Sequence, residues 1–187
     1  MKIKKLTAQL LMKSLIIFIS ILFSATYLYV QTNYYIATKT FYESGYTYQC
    51  NVRASGFVTL YNKSNNTYPV YKSTGGSFAQ TDAGIKLLES DTWTRSKRFS
   101  IVNAAFSDSE KQRIKGHDFN IIMYINSSTG KVDEVSFEFH KSDPPATIPI
   151  SVYRKIETEI KKDIWFTPTD EGKKLSYIFY WWAQEPK

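Results

Sequence analysis

The chain has 187 residues, 43% of them apolar and 22% charged, which places it among globular proteins of one or two small domains and excludes a disordered chain. Its formal charge is +7, yet four of the 24 basic residues and none of the 17 acidic ones lie in the first 30 positions, so the remainder is close to balanced. That balance leaves no basic stripe with interleaved aromatics and argues against a nucleic-acid partner.

"MKIKK" followed by "LLMKSLIIFISILFSA" has the layout of an export signal, a positive start and then an apolar run. Leu15 to Phe23 has signal-peptide length, and the small residues Ser24, Ala25 and Thr26 offer a cleavage point. A signal peptide over 1–25 is expected. The alternative is an uncleaved inner-membrane anchor to residue 30, because apolar residues continue to Val30. Either way residues 31–187 are expected as a single exported domain in the periplasm, at the cell surface or secreted, touching membrane only if the anchor is retained.

The part over 31–80 is Tyr-rich and extended, with "NYYIATKTFY", "YTYQCNV" and "GFVTLYN" as strand candidates; ten of the 14 tyrosines lie between Tyr27 and Tyr71. Turn chemistry over Asn62 to Asn66 predicts a hairpin between "FVTLY" and "TYPVYK". The glycosylation-type triplets starting at Asn62, Asn65 and Asn126 read as turn residues. Cys50 has no internal partner and reads as a small buried hydrophobe, the alternative being a thiol that pairs with another chain.

A helical middle is expected over 81–116. "GIKLLES" reads as a helical turn, "DTWTRSKRF" as a loop or short strand, and Phe99 to Lys115 as a bent or paired helix. Ser107 and Glu110 form a capping box, and Gly116 is the stop.

The part over 119–185 is a β-β-α-β unit. "FNIIMYI" places Phe119, Ile121, Met123 and Ile125 on one face; "NSSTG" turns the chain; and "KVDEVSFEF" returns Val135, Phe137 and Phe139 in phase. Val152, Ile156 and Ile160 then recur at i, i+4, i+8 along a helix, with Pro149 in its first turn, Ser151 as a cap and Glu157–Lys161 as a solvent-side pair. After "WFTP", Lys174 to Trp182 alternates as a last strand. Its Tyr177, Phe179 and Trp181 point one way, and Ile178, Tyr180 and Trp182 the other.

The fold class that follows is α+β, mostly antiparallel sheet with a helix packed on one face. The features "INSSTGKVDEVSFEF", "SVYRKIETEIKKD" and "WFTP…EGKKLSYIFYWW" resemble the C-terminal domain of TonB-type proteins. That resemblance implies recognition of a short protein segment by strand addition at a sheet edge. With "QTNYYIATKTFY", "FVTLYNKSN" and "AFSDSEKQRIKG", the whole chain is similar to an uncharacterised family of secreted Bacteroidetes proteins, which implies export and this fold and carries no known active site.

Catalytic chemistry is thin. His117 and His140 are the only histidines and have no second ligand at metal spacing, so neither a metal nor a cofactor is expected. Ser128 and Lys131 match S-x-x-K in a turn where that pair needs a helix, and Asp133 and Glu134 point to opposite faces of a strand. The expected function is a non-enzymatic binding or adaptor module that engages a protein or peptide through a sheet edge or an aromatic face. Trp181, Trp182, Tyr180 and Trp165 are the candidate binding residues. The alternatives are a glycan-binding accessory protein stacking sugars on Trp93, Trp165, Trp181 and Trp182, and a hydrolase built on His117 or His140.

Overall fold

The structure is a computed structural model that describes residues 32–43, 45–65 and 84–187. The expected signal or anchor, the strand candidate "TYPVYK" and Gly75-Gly76 lie outside the described residues. Asn33–Lys187 form one compact unit. Among the described residues no helix is long and apolar enough to cross a membrane.

Six strands form one sheet: β1 (Lys39–Glu43), β2 (Tyr46–Val52), β3 (Phe57–Asn62), β4 (Phe119–Ile125), β5 (Val132–His140) and β6 (Ile178–Gln184). Their spatial order is β1-β2-β3-β5-β4-β6, and every pair is antiparallel. Among the described residues three α-helices accompany them: α1 (Trp93–Ala105), α2 (Asp108–Ile114) and α3 (Ile150–Asp163). This is the expected α+β class.

The apolar alternation of β4 and β5 creates a face that must be covered, and α3 covers it. Val152, Tyr153, Ile156 and Ile160 are buried on that helix, each stabilising by about 1.5–3 kcal/mol. Tyr153 is wholly buried among Tyr35, Phe119, Phe137 and Phe139, with ring centroids 5.0–6.0 Å away, and its hydroxyl donates to the Pro145 carbonyl at 2.8 Å. One row of the helix-side face runs Cys50, Leu60, Phe137, Ile121, Trp182 across five strands. Cys50 is thus a core residue, and burial pushes its thiol up to about 11.

The capping box is present. Ser107 N donates to Glu110 Oε2 at 2.8 Å, Glu110 N donates to Ser107 Oγ, and α2 stops before Gly116 at φ +80°.

Four local expectations are corrected. Helix α1 begins at Trp93, so "DTWTRSKRF" is its opening and not a loop or strand; Asp91 Oδ1 accepts from Thr94 N at 2.7 Å and caps the first turn. "GIKLLES" is extended and bridges through Leu88 to Pro168. Ser151 is no cap, because α3 already starts at Ile150 after Pro149. Glu157 is not on the wet side: it is 3% exposed and accepts from the Tyr48 hydroxyl, because β2 runs beneath the helix.

The N-terminal strands continue the same sheet. Strand β3 has β2 on one side and β5 on the other. The turn chemistry itself is present: Asn62 Oδ1 accepts from Ser64 N at 3.0 Å.

Candidate functional site

The corner before β6 sets the direction of its aromatics. Gly130 has φ +73°, and a Cβ there would lie 1.8 Å from the Phe166 carbonyl oxygen, so only glycine lets the two turns meet. Phe166 N donates to the Gly130 carbonyl at 2.8 Å, and Phe166 is buried with its ring 5.6 Å from Tyr180. Trp165, its neighbour, is turned outward and pairs with Trp93 at 4.3 Å.

Strand β6 lies at one end of the sheet and, among the described residues, pairs with β4 alone. Its alternation has the expected phase. Ile178, Trp182 and Gln184 are buried and Tyr180 is half-buried on one face, while Phe179 and Trp181 lie on the other. Trp181 is 56% exposed and heads a row through Ile122, Ser136 and Tyr61. A recess of about 250 Å³ beside Trp181 is lined by Asn120, Ile122, Glu138 and Phe179.

On the helix side, β6 is held to α1. Gln184 accepts from Trp182 Nε1 at 3.1 Å and donates to the Phe99 carbonyl at 3.1 Å and to Asn103 Oδ1 at 3.0 Å. Arg98 lies beneath the strand, its guanidinium carbon 4.7 Å from the ring centres of both Tyr180 and Trp182. Between α1 and β6 is a cavity of about 440 Å³, whose lining includes Thr94, Arg95, Arg98, Phe166, Tyr180 and Trp182.

Of the four residues expected to bind, Trp181 and Trp165 are exposed, Tyr180 is half-buried, and Trp182 is only 8% exposed and belongs to the core. Tyr180 and Trp182 face the cavity, Trp181 faces the opposite side, and Trp165 forms a separate pair with Trp93. Sequence reasoning missed Arg98. The signal was its spacing: Thr94, Arg98, Ile101, Val102 and Ala105 make one buried stripe, with a cation at a position that periodicity assigns to the core.

Other chemical candidates have structural duties. His140 meets the Ser55 carbonyl through Nε2 at 3.0 Å and Ser142 Oγ through Nδ1 at 2.7 Å, which pins the turn before β3. Asn126 Oδ1 accepts from Ser128 N and Thr129 N, so the S-x-x-K pair is in a turn. Asp133 is exposed at the bulge where β5 shifts register against β4, and Glu134 is buried. Among the described residues no three His, Cys, Asp or Glu side chains form a metal-holding group.

Comparison with known proteins places this architecture. No curated protein matches the chain. The crystal structure of a DUF5043 family protein from Bacteroides uniformis is 39% identical, with a TM-score of 0.78 over 83% of this chain and 95% of that one. The family model for the domain of unknown function DUF5043 matches residues 31–182, and the chain belongs to that family.

Proposed function

We propose that this protein is an exported, non-enzymatic binding module that takes up an extended peptide segment by strand addition along β6. One observation carries the reading: β6 is a seven-residue edge strand, paired on one side only among the described residues, with Trp181 exposed on it. An edge strand presents a row of backbone donors and acceptors, and flanking aromatic side chains supply selectivity. The order β4-β5-α3-β6, with β4 central between β5 and β6, supports the likeness to TonB-type C-terminal domains. The export layout of residues 1–25 supports a periplasmic, surface or secreted location, with an anchor to residue 30 as the variant that N-terminal sequencing of the mature protein tests.

The glycan reading has weaker support. Sugar stacking needs exposed rings in one plane, whereas Trp93 and Trp165 meet at 47° and Trp182 is buried. A hydrolase reading has less still, since both ring nitrogens of His140 are engaged in the turn.

Selection of peptides from a random phage-displayed library, followed by hydrogen exchange of the complex, tests the proposal. Enriched peptides are expected to slow exchange over Ile178–Gln184 and to bind the Trp181→Ala variant about tenfold more weakly or worse. Failure to enrich any peptide, or protection confined to other elements, overturns it.

A further inference from the structure

Arg98 poses an unresolved charge problem. It is 4% exposed, and no carboxylate forms an ion pair with it among the described residues. Its Nε donates to the Thr94 carbonyl at 3.2 Å and its Nη2 to the Tyr180 hydroxyl at 3.3 Å, while Nη1 is out of water with no acceptor. Guanidinium does not lose its proton, so the charge must be compensated where it stands. The rings of Phe166, Tyr180 and Trp182, at 5.8, 4.7 and 4.7 Å, compensate part of it. They leave the Nη1 donor unused.

The cavity that Arg98 helps to line has a volume suited to a small group and a second guanidinium, Arg95, on its exposed rim. Thr94 and Ser90 add hydroxyls. The two acidic side chains of the lining are already engaged: Asp91 caps α1, and Glu89 pairs with Lys86 at 3.0 Å. Those carboxylates would repel a doubly charged phosphoryl group more than a singly charged carboxylate, which can accept from the unused Nη1 donor.

We infer that the cavity between α1 and β6 is a carboxylate-binding site, with Arg98 as its buried cation and Arg95 at its entrance. The source of the carboxylate rests on the strand-addition reading. A peptide lying along β6 places alternate side chains on the face of Tyr180 and Trp182, so an acidic residue there would reach the cavity. A free small carboxylate offers the same group.

Nuclear magnetic resonance titration of the ¹⁵N-labelled protein tests this. The Arg98 Nε–H and Trp182 Nε1–H signals are followed against acetate, N-acetylglutamate amide and inorganic phosphate at constant ionic strength. Saturable movement of both signals with the two carboxylates is expected, with Arg95→Gln weakening it roughly threefold and Arg98→Lys, followed on Trp182 Nε1–H alone, about tenfold or more. The exposed Arg95→Gln variant keeps the test open if Arg98→Lys does not fold. Absence of movement, or equal or tighter saturation by phosphate, overturns the site.

The second arm compares β6-protecting peptides carrying Glu or Asp with their Gln or Asn twins. If free carboxylates saturate but no peptide protects β6, the site stands and strand addition fails. If peptides protect β6 equally well with amide twins and free carboxylates do nothing, strand addition stands and the carboxylate site fails.

Discussion

At the scale of single residues, the α3–β2 contact shows how burial changes the chemistry of an ordinary side chain. The Glu157 carboxyl is raised above the usual carboxylate range, first by desolvation, against the opposing effects of Tyr48 and Lys161. The Tyr48 hydroxyl that donates to it is itself held above its ordinary value by burial and by the nearby carboxylate. A raised carboxyl means that the folded chain binds this proton more tightly than the unfolded chain does. The stability that Glu157 contributes is therefore full below the unfolded value, falls as pH rises through the folded value, and levels off above it. Denaturant titrations from pH 4 to 8 are expected to show Glu157→Gln gaining stability relative to the parent as pH rises. A Glu157→Gln variant that loses stability relative to the parent as pH rises would contradict that sign.

At the scale of elements, helix starts differ in how they are satisfied. Ser107 begins α2 with a reciprocal capping box, whereas Ser151 is an exposed residue inside the first turn of α3 with no capping bond. Ser107→Ala is expected to cost about 1 kcal/mol in chemical denaturation. Ser151→Ala should stay within about 0.5 kcal/mol. Equal losses would mean that the α3 serine has a role its position does not show. The same contrast explains what was legible locally. S-x-x-E announces a helix start within four residues, but Asp91 capping through Thr94 sits beside a Trp and two Thr that read as strand or loop.

At the scale of the whole molecule, protection should follow position in the sheet. Strand β4 lies between β5 and β6 with Ile121, Met123 and Ile125 wholly buried, while β1, among the described residues, pairs only with β2 and exposes 82% of Tyr42. Native-state hydrogen exchange is expected to be slowest in β4 and β5 and far faster in β1, since edges open without global unfolding. Exchange in β1 as slow as in β4 would require a partner along its outer edge. The two ends of this sheet are unlike. The helix contact that Gln184 makes with Phe99 and Asn103, and the cavity that gives the proposed site its charge, are at the β6 end.

The amino-acid pattern alone was enough for the β4–β5 hairpin, the α3 stripe, the α2 cap and the two-faced alternation of β6, because each depends on neighbours within one turn or one pleat. Where β1–β3 would join, which side of α3 is dry at Glu157, and why Arg98 is placed under Tyr180 and Trp182 emerged only from the tertiary arrangement. Those features need residues tens to over a hundred positions apart to meet: Tyr48 with Glu157, Arg98 with Tyr180. Periodicity reports which side of an element is apolar. It carries no record of which distant strand will lie against that side, or of what polar group that strand brings.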